Sequence, residues 1–176
     1  YHTNFLATIS LANVCKMLGV KKFVFSSTSA VYGPPKYLPV DEEHPTIPIS
    51  PYGLSKLASE NYLSYLSLDS SMQIIVFRFP NVYGPRQRSD LEGGVISIFK
   101  ELMIQGKQTS FFGDGNQTRD WVHCEDIVKA LLISMQKNLS NFTLLGLGSS
   151  KENSLNDLFN LLSSELTYSK KVLFLP

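Results

Sequence analysis

Cysteine is scarce in this sequence, whose 176 residues include two, Cys15 and Cys124. These cysteines lie far apart and lack the spacing of metal ligands, which argues against a disulfide-rich scaffold and against a cysteine-based metal site. Two reduced thiols are typical of a cytosolic protein. We therefore expect a cytoplasmic protein without a bound metal.

An excess of either charge and long apolar runs are also missing. The chain has 16 Lys and Arg residues against 15 Asp and Glu residues, a formal net charge of +1. This balance does not favour a nucleic acid or a membrane surface as the main partner. No apolar run approaches the ~18 residues of a membrane span. With 43% hydrophobic and 18% charged residues, the composition is that of a globular protein with a substantial core.

What the sequence does contain is an alternation of helical and strand-like segments. We predict helices in FLATISLANVCKMLG, SPYGLSKLASENYLSYLS, GGVISIFKELMIQG, CEDIVKALLISMQK and SLNDLFNLLSSEL, and strands in KKFVFSS, MQIIVFRF, TSFF, FTLLGLG and KKVLFLP. The spacing places Gly19 at a helix end, Ser50 at a helix N-cap, and Lys137 in a last helical turn, where a cation matches the helix dipole. Such alternation predicts an α/β fold with a mainly parallel sheet.

Three hydroxyl residues follow the first predicted strand: Ser26, Ser27 and Thr28. Ligands of parallel α/β sheets bind at the carboxyl ends of the strands, which is where these hydroxyls would lie. The alternative is that they cap the next segment or bind loop backbone, as Ser and Thr often do.

Tyr52 and Lys56 are four residues apart on a predicted helix and therefore share one face. A lysine cation near a phenol favours the phenolate, and such a tyrosine can act as a general base or acid. Thr28 could hydrogen-bond the same substrate hydroxyl. A single Tyr-x-x-x-Lys pattern is weak, since chance pairs are common. Its position between two strands that end in polar residues strengthens it.

Four segments in order resemble the motifs of a known family: FVFSSTSAVYG, DEEHPTIPISPYGLSKLASE, RFPNVYGPRQ and FFGDGNQTRDWVHCEDI. They are similar to the extended short-chain dehydrogenase/reductases of the NAD-dependent epimerase/dehydratase group, and within it to the 4-epimerases of UDP-sugars. The resemblance implies a Rossmann-type, doubly wound parallel sheet with a smaller α/β substrate-binding region. It also implies NAD as cofactor, a UDP-sugar as substrate, and a homodimer.

The resemblance also implies roles for individual residues. Tyr52 would be the catalytic base and acid, Lys56 would bind the nicotinamide ribose, and Thr28 would occupy the catalytic Ser/Thr position. The other implied cofactor contacts are Asn4, Ser26 and Pro80. The other implied substrate contacts are Asn81, Val95, Ser110, Phe111, Phe112 and Arg119. Arg119 would hold a phosphate oxygen, which suits a guanidinium group; the alternative is a surface ion pair with Asp120 or Glu125.

Ala30 bears on the type of reaction. Relatives that eliminate water from the sugar place acidic residues just after the catalytic threonine, and a proton donor is needed there to expel a hydroxyl. This chain has Ser29 and Ala30, and an alanine cannot transfer a proton. The sequence therefore favours reversible hydride transfer at C4, and with it 4-epimerisation, over dehydration.

The glycine-rich dinucleotide fingerprint of the family does not occur among these 176 residues. We therefore expect an internal portion of a longer protein, which alone would neither fold stably nor hold NAD. Residues 1–80 would be the C-terminal part of a Rossmann domain. Residues 81–176 would be a partial nucleotide-sugar-binding region with segments that return to that domain.

Three functions remain open at this point. The first is a UDP-glucose/UDP-galactose type of 4-epimerase, which the motifs favour. The second is another enzyme on the same scaffold, either a keto-sugar reductase or an epimerase for N-acetylated or uronic sugars. The third is a non-catalytic nucleotide-sugar-binding protein, against which the intact set of Thr28, Tyr52 and Lys56 argues.

Overall fold

The computed structural model describes residues 1–90 and 94–176, and the chain divides into two compact units. The first unit consists of Tyr1–Pro80 and Ile127–Leu147, and the second of Asn81–Asp126 and Gly148–Pro176. Each unit contains a hydrophobic cluster of its own. The chain thus leaves the first unit after Pro80 and later returns to it for most of one helix and one strand.

A three-stranded parallel sheet forms the centre of the first unit. Its strands are β1 (Lys22–Thr28), β2 (Gln73–Phe79) and β7 (Phe142–Gly146), with β2 in the middle. Five consecutive β2 residues, numbers 74 to 78, are buried, as expected for a parallel strand covered on both faces. The three predicted strands and the predicted α/β fold are confirmed.

Helices α1 (Ala7–Met17), which follows a π-helical turn at His2–Leu6, and α2 (Pro51–Leu68) pack against this sheet. A third helix of this region, α4 (Cys124–Gln136), ends beside Lys22 at the start of β1. The buried residues of the first core are Ala12, Phe25, Leu63, Leu66, Met72, Ile74 and Val76. Two helix ends are as predicted. Gly19, with φ +69°, follows the end of α1, and the Ser50 side chain accepts a hydrogen bond from Gly53 N–H at the start of α2.

The prediction for Lys137 is wrong, because α4 ends at Gln136 and has no basic residue in its last turn. A lysine from another element takes this place. The Lys22 ammonium, at the start of β1, donates to the carbonyl oxygens of Ser134 (3.2 Å), Met135 (2.7 Å) and Lys137. These carbonyls have no partner within a helix, and a cation near them also matches the helix dipole.

Replacing Lys22 by methionine should lower the free energy of unfolding by about 1–2 kcal/mol, since the end of α4 loses its charged donor. Urea denaturation measures this loss. The neighbouring Lys21→Met variant is the control, because Lys21 is an exposed lysine that directly precedes β1. Equal stability of the two variants would contradict the role of Lys22.

The second unit contains two helices and three pairs of short strands. The helices are α3 (Val95–Ile104) and α5 (Leu155–Glu165). The pairs are β3 (Asn81–Tyr83) with β6 (Trp121–His123), β4 (Ser110–Phe112) with β9 (Leu173–Leu175), and β5 (Thr118–Arg119) with β8 (Asn153–Ser154). Its core consists of Phe99, Met103, Phe111 and Leu158. The predicted elements of this part are confirmed; Gly93, in the predicted segment of α3, lies outside the described residues.

Among the described residues, every helix falls short of the length and apolar character that a membrane crossing requires.

Candidate active site

The hydroxyl residues at the end of β1 point in alternating directions, as strand geometry requires. Ser26 is exposed, Ser27 is buried, and Thr28 is half-buried. Thr28 Oγ1 accepts a hydrogen bond of 3.1 Å from Ala30 N–H and so caps the short 3₁₀ helix Ser29–Val31. The capping role considered from the sequence is therefore present. A hydroxyl that accepts one bond can still donate its proton, so Thr28 remains able to bind a second group.

The first turn of α2 packs directly on the residues that follow Thr28. Gly53 permits this approach, since a β-carbon at that position would lie 2.5 Å from Ala30 O and 3.1 Å from Pro48 Cβ. Tyr52, the neighbour of Gly53, keeps 46% of its surface exposed. The accessible side chain of Tyr52 therefore lies in the first turn of α2, which packs on the residues that follow Thr28.

Lys56, one helical turn after Tyr52, connects α2 to β1. Its Nζ donates to Ser26 O at 2.9 Å and lies 4.8 Å from the centroid of the Phe25 ring and 6.0 Å from that of the Tyr52 ring. Partial burial lowers the pKa of the Lys56 ammonium below its usual value. The cation is thus held at the carboxyl end of β1, within electrostatic range of the Tyr52 ring.

Gly53→Ala should disturb this packing, because the added β-carbon would overlap the backbone carbonyl of Ala30. We expect the free energy of unfolding to fall by about 1–3 kcal/mol, the usual cost of overpacking. Gly146→Ala is the matched control, since a β-carbon there meets only the flexible carboxylate of Glu42, at 3.4 Å. Urea denaturation of both variants is the measurement, and a Gly53→Ala protein as stable as the control would contradict the close approach.

A buried ionic cluster connects α2 to β1 and β2, and it was not predicted from the sequence. The Glu60 carboxylate accepts hydrogen bonds from Ser27 Oγ and from Arg78, at 2.7 Å from Nη2 and 3.2 Å from Nε. Both ionic side chains are buried, at 4% and 6% exposure. Burial lowers the pKa of Arg78, but its hydrogen bonds with Glu60 and Tyr32 outweigh burial and raise it. The available signal was the spacing of Glu60, four residues after Lys56, and a charged residue inside the apolar run of β2.

Two further residues implied by the resemblance also belong to the first unit. Asn4 O accepts hydrogen bonds of 2.9 Å from Thr8 Oγ1 and Ser59 Oγ, so the backbone of Asn4 supports α2. Pro80 directly follows β2, at the carboxyl end of the sheet. The structure therefore brings Lys56 onto Ser26 and near the Tyr52 ring, with Thr28 two residues further along β1, and places Asn4 and Pro80 in the same unit.

The remaining implied residues belong to the second unit. Asn81 is exposed at the start of β3, and Arg119 is exposed and donates through Nη1 to Thr118 O at 2.7 Å. In the described part of the chain no ion pair joins Arg119 to Asp120 or Glu125, since the Asp120 carboxylate accepts from Ser149 N–H and Oγ instead. The guanidinium is thus available for an anion.

β4 and α3 contain the last of these residues. Ser110 and Phe112 are exposed, whereas Phe111 is 2% exposed and its ring stacks on Phe99 at 5.2 Å between centroids. Val95, the first residue of α3, packs against the same cluster. The Phe111 side chain therefore belongs to the core, and its backbone is the part that could contact a ligand.

Comparison with known proteins shows what this architecture resembles. The family model "NAD dependent epimerase/dehydratase family" matches residues 1–143. A Methanocaldococcus jannaschii relative named for UDP-glucose 4-epimerase is 41% identical over 172 residues, which are 97% of this chain and 55% of the relative. The crystal structure of Thermotoga maritima UDP-glucose 4-epimerase with UDP-glucose superimposes with a TM-score of 0.94 at 38% identity, covering 99% of this chain and 57% of that one.

A second solved structure differs in the sugar named. Bacillus cereus UDP-glucuronic acid 4-epimerase, in complex with UDP-glucuronic acid and NAD, has a TM-score of 0.90 and 31% identity, and the match covers 99% of this chain and 55% of that one. The chain spans about half the length of the relatives that it matches.

The parallel sheet with hydroxyls at its carboxyl edge, together with these superpositions, defines a Rossmann-type α/β protein. The chain belongs to the NAD-dependent epimerase/dehydratase family.

Proposed function

We propose that this chain provides the catalytic residues of an NAD-dependent enzyme that epimerises a UDP-sugar at C4 through a 4-keto intermediate. The observation that carries the proposal is the position of Lys56, whose ammonium lies on Ser26 O at the end of β1 and near the Tyr52 ring. This arrangement offers a base, a cation to support its anionic form, and the neighbouring hydroxyl of Thr28.

In this proposal Tyr52 accepts the proton of the sugar 4-hydroxyl during oxidation and returns it during reduction. Thr28 hydrogen-bonds the same hydroxyl and orients it, since one of its acceptor sites is occupied by Ala30 N–H and its proton is free to be donated. Bound NAD would supply the hydride acceptor and donor at C4. Rotation of the keto sugar between the two transfers would invert the configuration.

The residues present fit the nicotinamide end of such a cofactor. The half-buried Lys56 ammonium offers donors for ribose hydroxyls at the edge of the sheet, where Rossmann-type proteins bind dinucleotides. Ser26, Pro80 and a supporting Asn4 would complete this side. The glycine-rich turn that holds a pyrophosphate has no counterpart among the 176 residues. We propose residues 1–80 as the C-terminal part of the NAD-binding domain, to which residues 127–147 return.

The second unit would bind the nucleotide part of the substrate. Arg119 is an exposed guanidinium without an acidic partner in the described residues, and guanidinium groups bind phosphate oxygens well. Asn81 would contact the sugar diphosphate. Val95 and the β4 residues Ser110, Phe111 and Phe112 would lie along the uracil, with Phe111 acting through its backbone because its ring is buried. Residues 81–176 are accordingly proposed as a partial nucleotide-sugar-binding region.

The alanine at position 30 supports epimerisation over elimination of water. The Ala30 backbone carbonyl lies against Gly53, the neighbour of Tyr52, and the Ala30 methyl side chain cannot supply the proton that elimination of water requires. A keto-sugar reductase remains the second candidate, since it would use the same tyrosine and lysine. By resemblance to the family alone, we extend the proposal to a cytoplasmic homodimer.

Incubation of the full-length protein with UDP-galactose, without added NAD, tests the proposal. We expect UDP-glucose to form with no net NADH, as followed by chromatography and absorbance. Turnover of UDP-N-acetylglucosamine or UDP-glucuronic acid instead would keep the reaction and change the sugar. Failure of all three substrates would refute 4-epimerisation and leave the reductase and the non-catalytic function.

A further inference from the structure

One face of α2 presents three functional groups at intervals of four residues: Tyr52, Lys56 and Glu60. The first two are the proposed catalytic residues. Glu60 lies one turn further along the helix, where it is almost fully buried. The helix that positions the proposed base and its cation is therefore fixed to the sheet by a carboxylate on the same face.

The partners of Glu60 belong to two neighbouring strands. Ser27 of β1 and Arg78 of β2 are opposite each other in the parallel register, and both donate to the carboxylate. Ser27 stands between Ser26, whose carbonyl accepts from Lys56 Nζ, and Thr28. One carboxylate thus joins α2 to the strand segment that contains both of these sites.

Arg78 extends the contact to the chain beyond Thr28. Its guanidinium lies 4.7 Å from the centroid of the Tyr32 ring, and its Nη1 reaches Glu42 O at 3.5 Å. Tyr32 follows the 3₁₀ helix that Thr28 caps, and it is buried. The residues on both sides of Thr28 are therefore held by the same ionic cluster.

Packing alone does not explain such a cluster. Buried ion pairs can often be replaced by apolar residues of similar volume without loss of stability. Apolar packing does not fix the orientation of the groups in contact. The hydrogen bonds of a carboxylate to a hydroxyl and a guanidinium do, because they have preferred angles. The cluster is suited to setting how far α2 is rotated about its axis relative to the ends of β1 and β2.

We propose that Glu60 is a positioning residue that, through Ser27 and Arg78, keeps the Lys56 ammonium on Ser26 O and Tyr52 beside Thr28. Its effect on turnover rests on the proposed function. Its effect on Lys56 is a property of the chain and is measurable without any substrate.

Two variants of the full-length protein test the proposal. Ser27→Ala removes one bond to Glu60, and the double variant Glu60→Met, Arg78→Leu removes the ionic cluster while preserving volume and leaving no unpaired charge. Ser67→Ala is the control, since Ser67 is a buried serine of α2 whose hydroxyl bonds within the helix, to Ser64 O. Thermal melting establishes that each variant is folded.

The first readout is competitive acetylation of lysines, quantified by mass spectrometry against the exposed Lys21 and Lys100. We expect labelling of Lys56 to rise about five-fold in both test variants, because the loss of one net hydrogen bond changes an equilibrium by about that factor. Labelling should stay unchanged in Ser67→Ala. A folded double variant with wild-type labelling of Lys56 would overturn the proposal.

The second readout is turnover. Misplacement of catalytic groups by about 1 Å costs on the order of 10²-fold, so we expect kcat of the double variant to fall by that factor with little change in KM. Wild-type kcat in a folded double variant would also refute the positioning role. A wild-type protein without epimerase activity would refute the proposed function instead, and the labelling would still decide the role of Glu60.

Discussion

Tyr52→Phe should retain substrate binding and lose turnover by about 10²–10⁴-fold, the range that a positioned general base or acid contributes. The variant removes one hydroxyl group at a side chain that is 46% exposed, so the fold has little to lose. In the proposed mechanism the phenylalanine ring cannot accept the proton of the sugar 4-hydroxyl, which Thr28 would still bind. Steady-state kinetics with the accepted UDP-sugar, together with a binding isotherm, separate the two effects.

Tyr65→Phe is the matched control, since Tyr65 lies on the same helix and is 70% exposed. It should behave as the wild type in both measurements. If Tyr52→Phe turned over substrate at the wild-type rate, the assignment of Tyr52 as base would be wrong, whatever the reaction. If Tyr52→Phe lost substrate binding as well as turnover, the main role of Tyr52 would be to bind the substrate.

Arg78→Met should destabilise the fold by about 3–5 kcal/mol, because it leaves the Glu60 carboxylate buried without its cation. The Tyr32 ring also loses its cation partner, at 4.7 Å from the ring centroid. Part of the loss should be recovered as the pH falls, since a buried carboxylate without a partner is costly only while it is ionised. Urea denaturation at a series of pH values measures both effects.

Arg88→Met provides the comparison. Arg88 also forms an ion pair, with Asp90 at 2.5 Å, but both side chains are largely exposed. Solvent screens such pairs, and we expect no measurable change in stability. A loss in Arg78→Met no larger than in Arg88→Met would show that the Glu60–Arg78 pair is not an important buried interaction.

The fold was largely predictable because its elements have strong local signals. The β1 and β2 segments are short apolar runs, and the start of α2 combines Ser50 with Pro51, so periodicity and capping agree. The error at Lys137 has a tertiary cause. The end of α4 takes its cation from Lys22, which is 112 residues from Ser134 in sequence, and no local pattern reports such a contact.

The candidate site was predictable to a smaller extent. Tyr52 and Lys56 are related by helix periodicity, so their common face followed from spacing. The closeness of Ala30 and Gly53 did not, because it depends on how the helix approaches a strand end. The Glu60–Arg78 pair was missed for a related reason. A glutamate on a helix and an arginine inside an apolar strand do not show from the sequence that they pair, because the pairing depends on how the two elements pack.

The central place of β2 has a consequence for how the first unit opens. Both edges of this strand are hydrogen-bonded, to β1 and to β7, and residues 74 to 78 are buried in sequence. Its amides can exchange with solvent deuterium only when the sheet itself comes apart. Because Arg78 belongs to β2 and binds Glu60, we expect α2, and with it Tyr52 and Lys56, to keep its orientation through any local opening that leaves the sheet intact.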